Sequence, residues 1–235
     1  MIDGQRILVV CPARGGRKGI PLKNLQPFLG VPLVARVGHL VAEIPEIDRA
    51  IVSTDSKKIA DVARDSGLDV PFYRPDDLSG DRISDLEVLT HALTEMEKLD
   101  ETTYDIVVML QPTSPLRRTE HVRDTIQKLI DGDWDAVWTV SETDSKNHPL
   151  KQLTVNDERL DYYDQSGKQI IARQQLVPVY HRNGVAYAIR RSCLLEQKSI
   201  SGKRTGALVL EGDLVSIDTY WDLELAEFIF SKGQR

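Results

Sequence analysis

Short, fully apolar runs alternate with amphipathic stretches along the first three-fifths of the chain. Residues 7–11 contain no polar side chain other than the Cys11 thiol, as a strand covered on both faces of a parallel sheet requires. Pro32 is placed to open a helix running to about Glu43, with Leu33, Val37, Leu40 and Val41 on one face. Residues 50–54 predict a second strand, and Ser56 stands where it caps a helix striped by Ile59, Val62 and Ala63 and stopped by Gly67. Residues 70–73 predict a third strand. Ser84 and Glu87 have capping-box spacing before a helix carrying Leu86, Leu89, Leu93 and Met96. Strand 105–110 ends at Gln111-Pro112-Thr113-Ser114-Pro115, then a helix with Val122, Ile126 and Leu129 leads to strand 136–140.

This βα alternation predicts a doubly wound, mostly parallel α/β sheet with right-handed crossovers. Ligands of such sheets bind at the carboxyl ends of the strands. The pattern breaks over residues 142–182. There, 150–155, 160–163 and 169–171 read as short strands joined by polar turns at Asn156-Asp157 and Ser166-Gly167. The segment is expected to be a β-rich flap inserted into a single domain of 235 residues, acting as a lid or an oligomer arm. Residues 184–189 return to a buried strand, and Asp218 precedes a last helix through Leu223, Leu225, Ala226 and Phe228.

Composition narrows the function. A formal charge of −6 argues against a general nucleic-acid binder. Cys11 and Cys193 match no metal spacing and fit reduced thiols of a cytoplasmic protein. No apolar run approaches the ~20 residues of a membrane helix, and no secretory leader pattern precedes the first strand.

Against that acidic background, residues 14–25 (Arg-Gly-Gly-Arg-Lys-Gly-Ile-Pro-Leu-Lys-Asn-Leu) stand out. Gly15, Gly16 and Gly19 permit close backbone approach, while Arg14, Arg17, Lys18 and Lys23 gather positive charge on one loop. Successive N–H groups with such cations make an anion-binding concavity suited to phosphate. The loop lacks the Gly-Lys-Ser/Thr ending of a P-loop and the Gly-x-Gly-x-x-Gly of a dinucleotide site.

Together with residues 111–117, the 173–183 segment and Ile217-Asp218-Thr219, in this order and spacing, the loop resembles the acylneuraminate cytidylyltransferases. The resemblance spans essentially the whole chain. It implies a nucleotidyltransferase fold, usually homodimeric, that activates an acidic nine-carbon (nonulosonic) sugar with CTP and Mg²⁺ (or Mn²⁺). The related octulosonate enzyme and a non-catalytic nucleotide sensor are the alternatives.

By the same resemblance Arg14, Gly15, Gly16, Lys18, Lys23 and Asn24 face the triphosphate, with Lys23 at the α-phosphate. Arg74, Asp81 and Asp85 belong to the nucleotide-binding segment. Gln111, Lys151, Arg173, Asn183 and Tyr187 face the sugar, Arg173 at its carboxylate. Asp218 is the metal ligand, a hard oxygen before a helix. Two positions depart from the family pattern: Arg17, where a small Ser is usual, and Ser216, where many relatives carry Asp. Asp222, one helical turn on, offers a substitute, though an acid at that place more often serves the helix start.

Overall fold

The computed structural model describes residues 1–16 and 19–233. After β1 (Ile7–Pro12) come a small hairpin, β2 (Pro27–Phe28) and β3 (Val31–Pro32), then α1 (Leu33–Ala42), β4 (Arg49–Ser53) and α2 (Lys57–Asp65). Next are α3 (Asp85–Leu99), β5 (Ile106–Met109), α4 (Thr119–Asp131) and β6 (Ala136–Glu142). The chain continues through β7 (Leu153–Asn156), β8 (Arg159–Tyr162), β9 (Tyr180–Arg190), α5 (Arg191–Leu195), β10 (Thr205–Val209) and α6 (Tyr220–Gly233).

The main sheet has the order β10-β6-β9-β5-β1-β4. Only β9 runs against its neighbours; it pairs antiparallel with both β5 and β6, while the other pairs are parallel. Side chains of β1 alternate between two cores. Ile7, Val9 and Cys11 pack with Val34 and Val37 of α1, Ile59 of α2 and Val122 and Ile126 of α4. Leu8 and Val10 pack with Leu89, Leu93 and Met96 of α3. Because both faces are covered, the strand has to be apolar throughout.

Helix starts follow local chemistry. Ser84 and Glu87 close the expected capping box, with Ser84 N–H donating to Glu87 Oε2 at 2.8 Å and Glu87 N–H to Ser84 Oγ at 3.3 Å. Gly67, at φ +93°, ends α2 as expected.

Two expected strands are absent. Residues 70–73 form no strand: only Asp69 bridges to Ile51, and Pro71 has no N–H to extend the ladder. Residues 169–171 form no strand either; a short 3₁₀ turn, Gln165–Gln169, ends where that stretch begins, and Ile171 is 93% exposed with no neighbouring strand to pair with. The last helix runs through Leu223, Leu225, Ala226 and Phe228 as expected, with Phe228 58% exposed. Phe230 instead packs edge-on against Phe28, with ring centroids 5.9 Å apart.

The inserted segment leaves β6 and returns to β9 at adjacent points. Glu142 pairs with Tyr180, and Thr143 N–H donates to the Val179 carbonyl at 2.8 Å. Within it, β7 and β8 form an antiparallel hairpin whose turn residues Asp157 and Glu158 both have positive φ, +47° and +63°. Such a turn matches the right-handed twist of its strands. Leu153, Val155, Leu160, Tyr163 and Val177 of this arm are exposed.

Candidate active site

The carboxyl ends of β1, β4 and β5 converge with the start of α6. Gly15 N–H donates to Asp55 Oδ1 at 2.7 Å, tying the basic loop to the end of β4. A Cβ on Gly15 would lie 2.9 Å from Ser56 Cβ, so the approach of the two loops demands glycine. Asn24 is buried, and its Nδ2 donates to the Arg14 carbonyl at 3.0 Å, which closes the loop on itself. Lys23 is also buried; its Nζ donates to the Ile217 carbonyl and to Asp218 Oδ1, each at 2.7 Å. Lys18 and Arg17 lie outside the described residues.

Arg14, Asn24, Arg74, Asp81, Asp85 and Gln111 line one pocket of about 150 Å³. Arg14 Nη1 is 2.7 Å from Asp81 Oδ1. The Arg74 guanidinium donates from Nε to Ser53 Oγ at 3.0 Å and from Nη2 to the Ser53 carbonyl. Burial pushes its pKa down, against the pull of Asp55. A charge held in so desolvated a setting interacts more strongly with an anion than one in open water.

The far wall rests on β9. Gly184 has φ +72°, and a Cβ there would come 2.7 Å from both Gln111 Oε1 and Ser114 Oγ. Its N–H donates to the Tyr187 hydroxyl at 2.8 Å. Asn183 Oδ1 accepts from Val185 N–H at 3.1 Å and lies 2.7 Å from the Thr139 hydroxyl, and its Nδ2 donates to Ser141 Oγ at 3.1 Å. Asn183 and Tyr187 are therefore engaged in shaping the irregular stretch of β6–β9, between Trp138 and Val140, that borders Gln111.

Arg117 closes the 111–117 motif, which gave it no role of its own. It is buried, and donates from Nη2 to the carbonyls of Gln111, at 2.6 Å, and Gly184, at 3.0 Å, and from Nε to that of Val185. Burial pushes its pKa down to about 10. One guanidinium thus clamps the 111–117 loop to β9. The only signal available beforehand was an arginine closing a proline-rich, otherwise uncharged loop.

Asp218 is largely exposed, and Asp222, the candidate for the carboxylate missing at Ser216, is engaged in the start of α6. The Asp222 carboxylate accepts from the N–H groups of Asp218, at 3.0 Å, and Thr219, at 2.7 Å, and from Thr219 Oγ1 at 2.9 Å, capping α6. Partial burial opposes its ionisation, but these bonds outweigh it and hold the carboxyl below the usual range. Among the described residues no group of three His, Cys, Asp or Glu is arranged to hold a metal unaided. Lys151 and Arg173 lie elsewhere, exposed on the arm; Arg173 borders a separate small hollow with Glu142 and His148. No helix among the described residues is long and apolar enough to cross a membrane.

Residues 8–231 match the family described as Cytidylyltransferase. The chain is 31% identical over 240 residues to a CMP-N,N'-diacetyllegionaminic acid synthase of Legionella pneumophila, covering 97% of this chain and 98% of that protein. It is 30% identical over 225 residues to a pseudaminic acid cytidylyltransferase of Campylobacter jejuni, covering 95% of each. Among solved structures, a CMP:2-keto-3-deoxy-manno-octonic acid synthetase complexed with CTP superposes with a TM-score of 0.71 at 19% identity, over 97% of this chain and 100% of that one, a likeness of fold.

Proposed function

Because the chain belongs to the cytidylyltransferase family, we propose that it transfers CMP from CTP to the anomeric hydroxyl of a nonulosonic acid, releasing pyrophosphate. The observation that carries this reading is the shared pocket of Arg14, Asn24, Arg74, Asp81, Asp85 and Gln111 beside the Lys23–Asp218 pair. The sugar hydroxyl attacks the α-phosphorus and pyrophosphate leaves, so the protein's task is to position the reactants and stabilise charge. Lys23 and Arg14 supply positive charge at the triphosphate, and the loop N–H groups add donors. Arg74 and the 81–85 segment border the nucleotide, and Gln111 faces the sugar hydroxyls with an amide that both donates and accepts.

The residues fit Mg²⁺ as a guest of the nucleotide: Asp218 offers one carboxylate, and phosphate oxygens and water complete the shell. When bound, the ion would offset charge on the transferring phosphate. Ser216 contributes no carboxylate, so Asp218 is the single protein anion in this arrangement.

Two copies complete the sugar site in this reading. Lys151 and Arg173 stand on an arm with exposed apolar side chains, away from the nucleotide pocket. A homodimer that covers those side chains brings the partner's arm to the pocket. Use of CTP and two buried thiols fit a cytoplasmic protein. The test is pyrophosphate release across a panel of legionaminic, pseudaminic and neuraminic acids with each of the four NTPs. Release with CTP and one of these acids supports the proposal; release with none of them rejects it.

A further inference from the structure

A larger cavity, about 430 Å³, lies between α1 and the loop that runs into α4. Pro112 lines both this cavity and the nucleotide pocket, so the two share a wall. At its base, the Arg36 guanidinium sits 4.6 Å above the Phe28 ring. Arg36 Nε is buried and has no hydrogen-bond partner among the described residues, and no ion pair there reaches its side chain. Burial pushes its pKa down, the mark of a cation short of compensation. An unmatched buried N–H is costly, and an incoming acceptor would recover that cost.

The remaining walls define what fits. Leu33, Val37 and Leu40 offer an apolar side. At the exposed rim, Arg118 contacts the His121 ring at 3.1 Å, and burial and the Arg118 charge push that ring's pKa down. A second cation is thus available above the first. Glu43 and Glu120 also stand at the rim and would repel a highly charged triphosphate.

We propose that this cavity is a second binding site, which takes a small organic anion with a single phosphate or carboxylate head against Arg36 and its body along the apolar side of α1. Arg117 borders the cavity and holds the carbonyls of Gln111 and Gly184, so occupancy is coupled to the nucleotide pocket. The inference does not depend on the reaction proposed above.

Phenyl phosphate and benzoate carry the two heads on an apolar ring and contain neither a base nor a sugar. Calorimetric titration of the full chain with each, with and without saturating CTP, should show one site that CTP does not block. Arg36→Met should weaken it by about tenfold or more, while activity without probe stays at the wild-type level. The tighter-binding probe identifies the head group. Equal affinity in Arg36→Met, no binding of either probe, or displacement by CTP would overturn the proposal. Should Arg36→Met not fold, Arg118→Gln decides instead: a severalfold loss supports the site, and unchanged affinity rejects it.

Discussion

Lys23 Nζ lies 2.7 Å from Asp218 Oδ1, joining the first loop of the chain to the start of its last helix. The pair is asymmetric: the lysine side chain is 3% exposed and the aspartate 71%. The ammonium is fixed from below by the Ile217 carbonyl at 2.7 Å, and the carboxylate faces solvent. A cation held this way needs little rearrangement when charge develops beside it.

Lys23→Ala should therefore lose on the order of 3–4 kcal/mol of transition-state stabilisation, mostly in kcat. Steady-state pyrophosphate release checks this, with a thermal melt to separate lost catalysis from lost fold. A folded variant with kcat near wild type would reject the assignment.

On the proposed assignment of Asp218 as the carboxylate that meets the metal, Asp218→Asn should abolish most activity at ~1 mM Mg²⁺, whereas Ser216→Ala should be nearly silent. Asp222→Ala should instead lower stability by about 1 kcal/mol through loss of the helix cap, and leave the dependence on Mg²⁺ unchanged. Activity titrated against Mg²⁺, with a melting curve for each variant, distinguishes the two kinds of loss.

Arg173→Ala should raise the sugar KM and leave CTP affinity intact, for a charge-assisted bond worth roughly 1.5–3 kcal/mol. If the partner's arm supplies that bond, inactive Lys23→Ala and weakened Arg173→Ala should complement when unfolded and refolded together. Sedimentation should find a dimer. An active monomer, or no recovery in the mixture, would dispose of the shared site.

His121 gives the fold an acid sensitivity. Its pKa is lowered from the ordinary 6.5, first by burial and then by the charge of Arg118. The unfolded imidazole binds a proton first as pH falls below 6.5, so stability is lost from there down through the folded value and is unaffected above it. His121→Gln should flatten the fall in Tm as pH drops below about 6.5. An unchanged slope would mean that other groups carry the acid sensitivity.

Local rules carried the sequence reading where one element decides its own form. Residues 7–11 are apolar on both faces because two cores meet there, and Ser84–Glu87 cap α3 without help from the rest of the fold. The same rules fail where a distant segment decides. Burial of residues 184–189 was legible, but an all-apolar strand reads alike in either direction, so the reversal of β9 was hidden. The apolar 70–73 stretch lacked a usable neighbour and a proline N–H, which local propensity does not register. Gly15 was legible as a close approach, because glycine states that need by itself. Arg117 was not, since its partners are backbone carbonyls, two of them on a strand almost seventy residues later, at separations of 67 and 68.

The arm's two ends meet at the last antiparallel pair of β6 and β9, Glu142 with Tyr180, and the Thr143–Val179 bond beside it. Nothing in the sheet measures how much chain hangs beyond that point, so the loop can lengthen, shorten or be exchanged while β6 and β9 keep their register. Each doubling of such a loop adds only about 0.6 kcal/mol of closure entropy. On the proposal that the arm carries the sugar and subunit contacts, both are free to diversify on a sheet that stays the same, and an arm transplanted from a relative between residues 143 and 179 should carry its sugar preference with it.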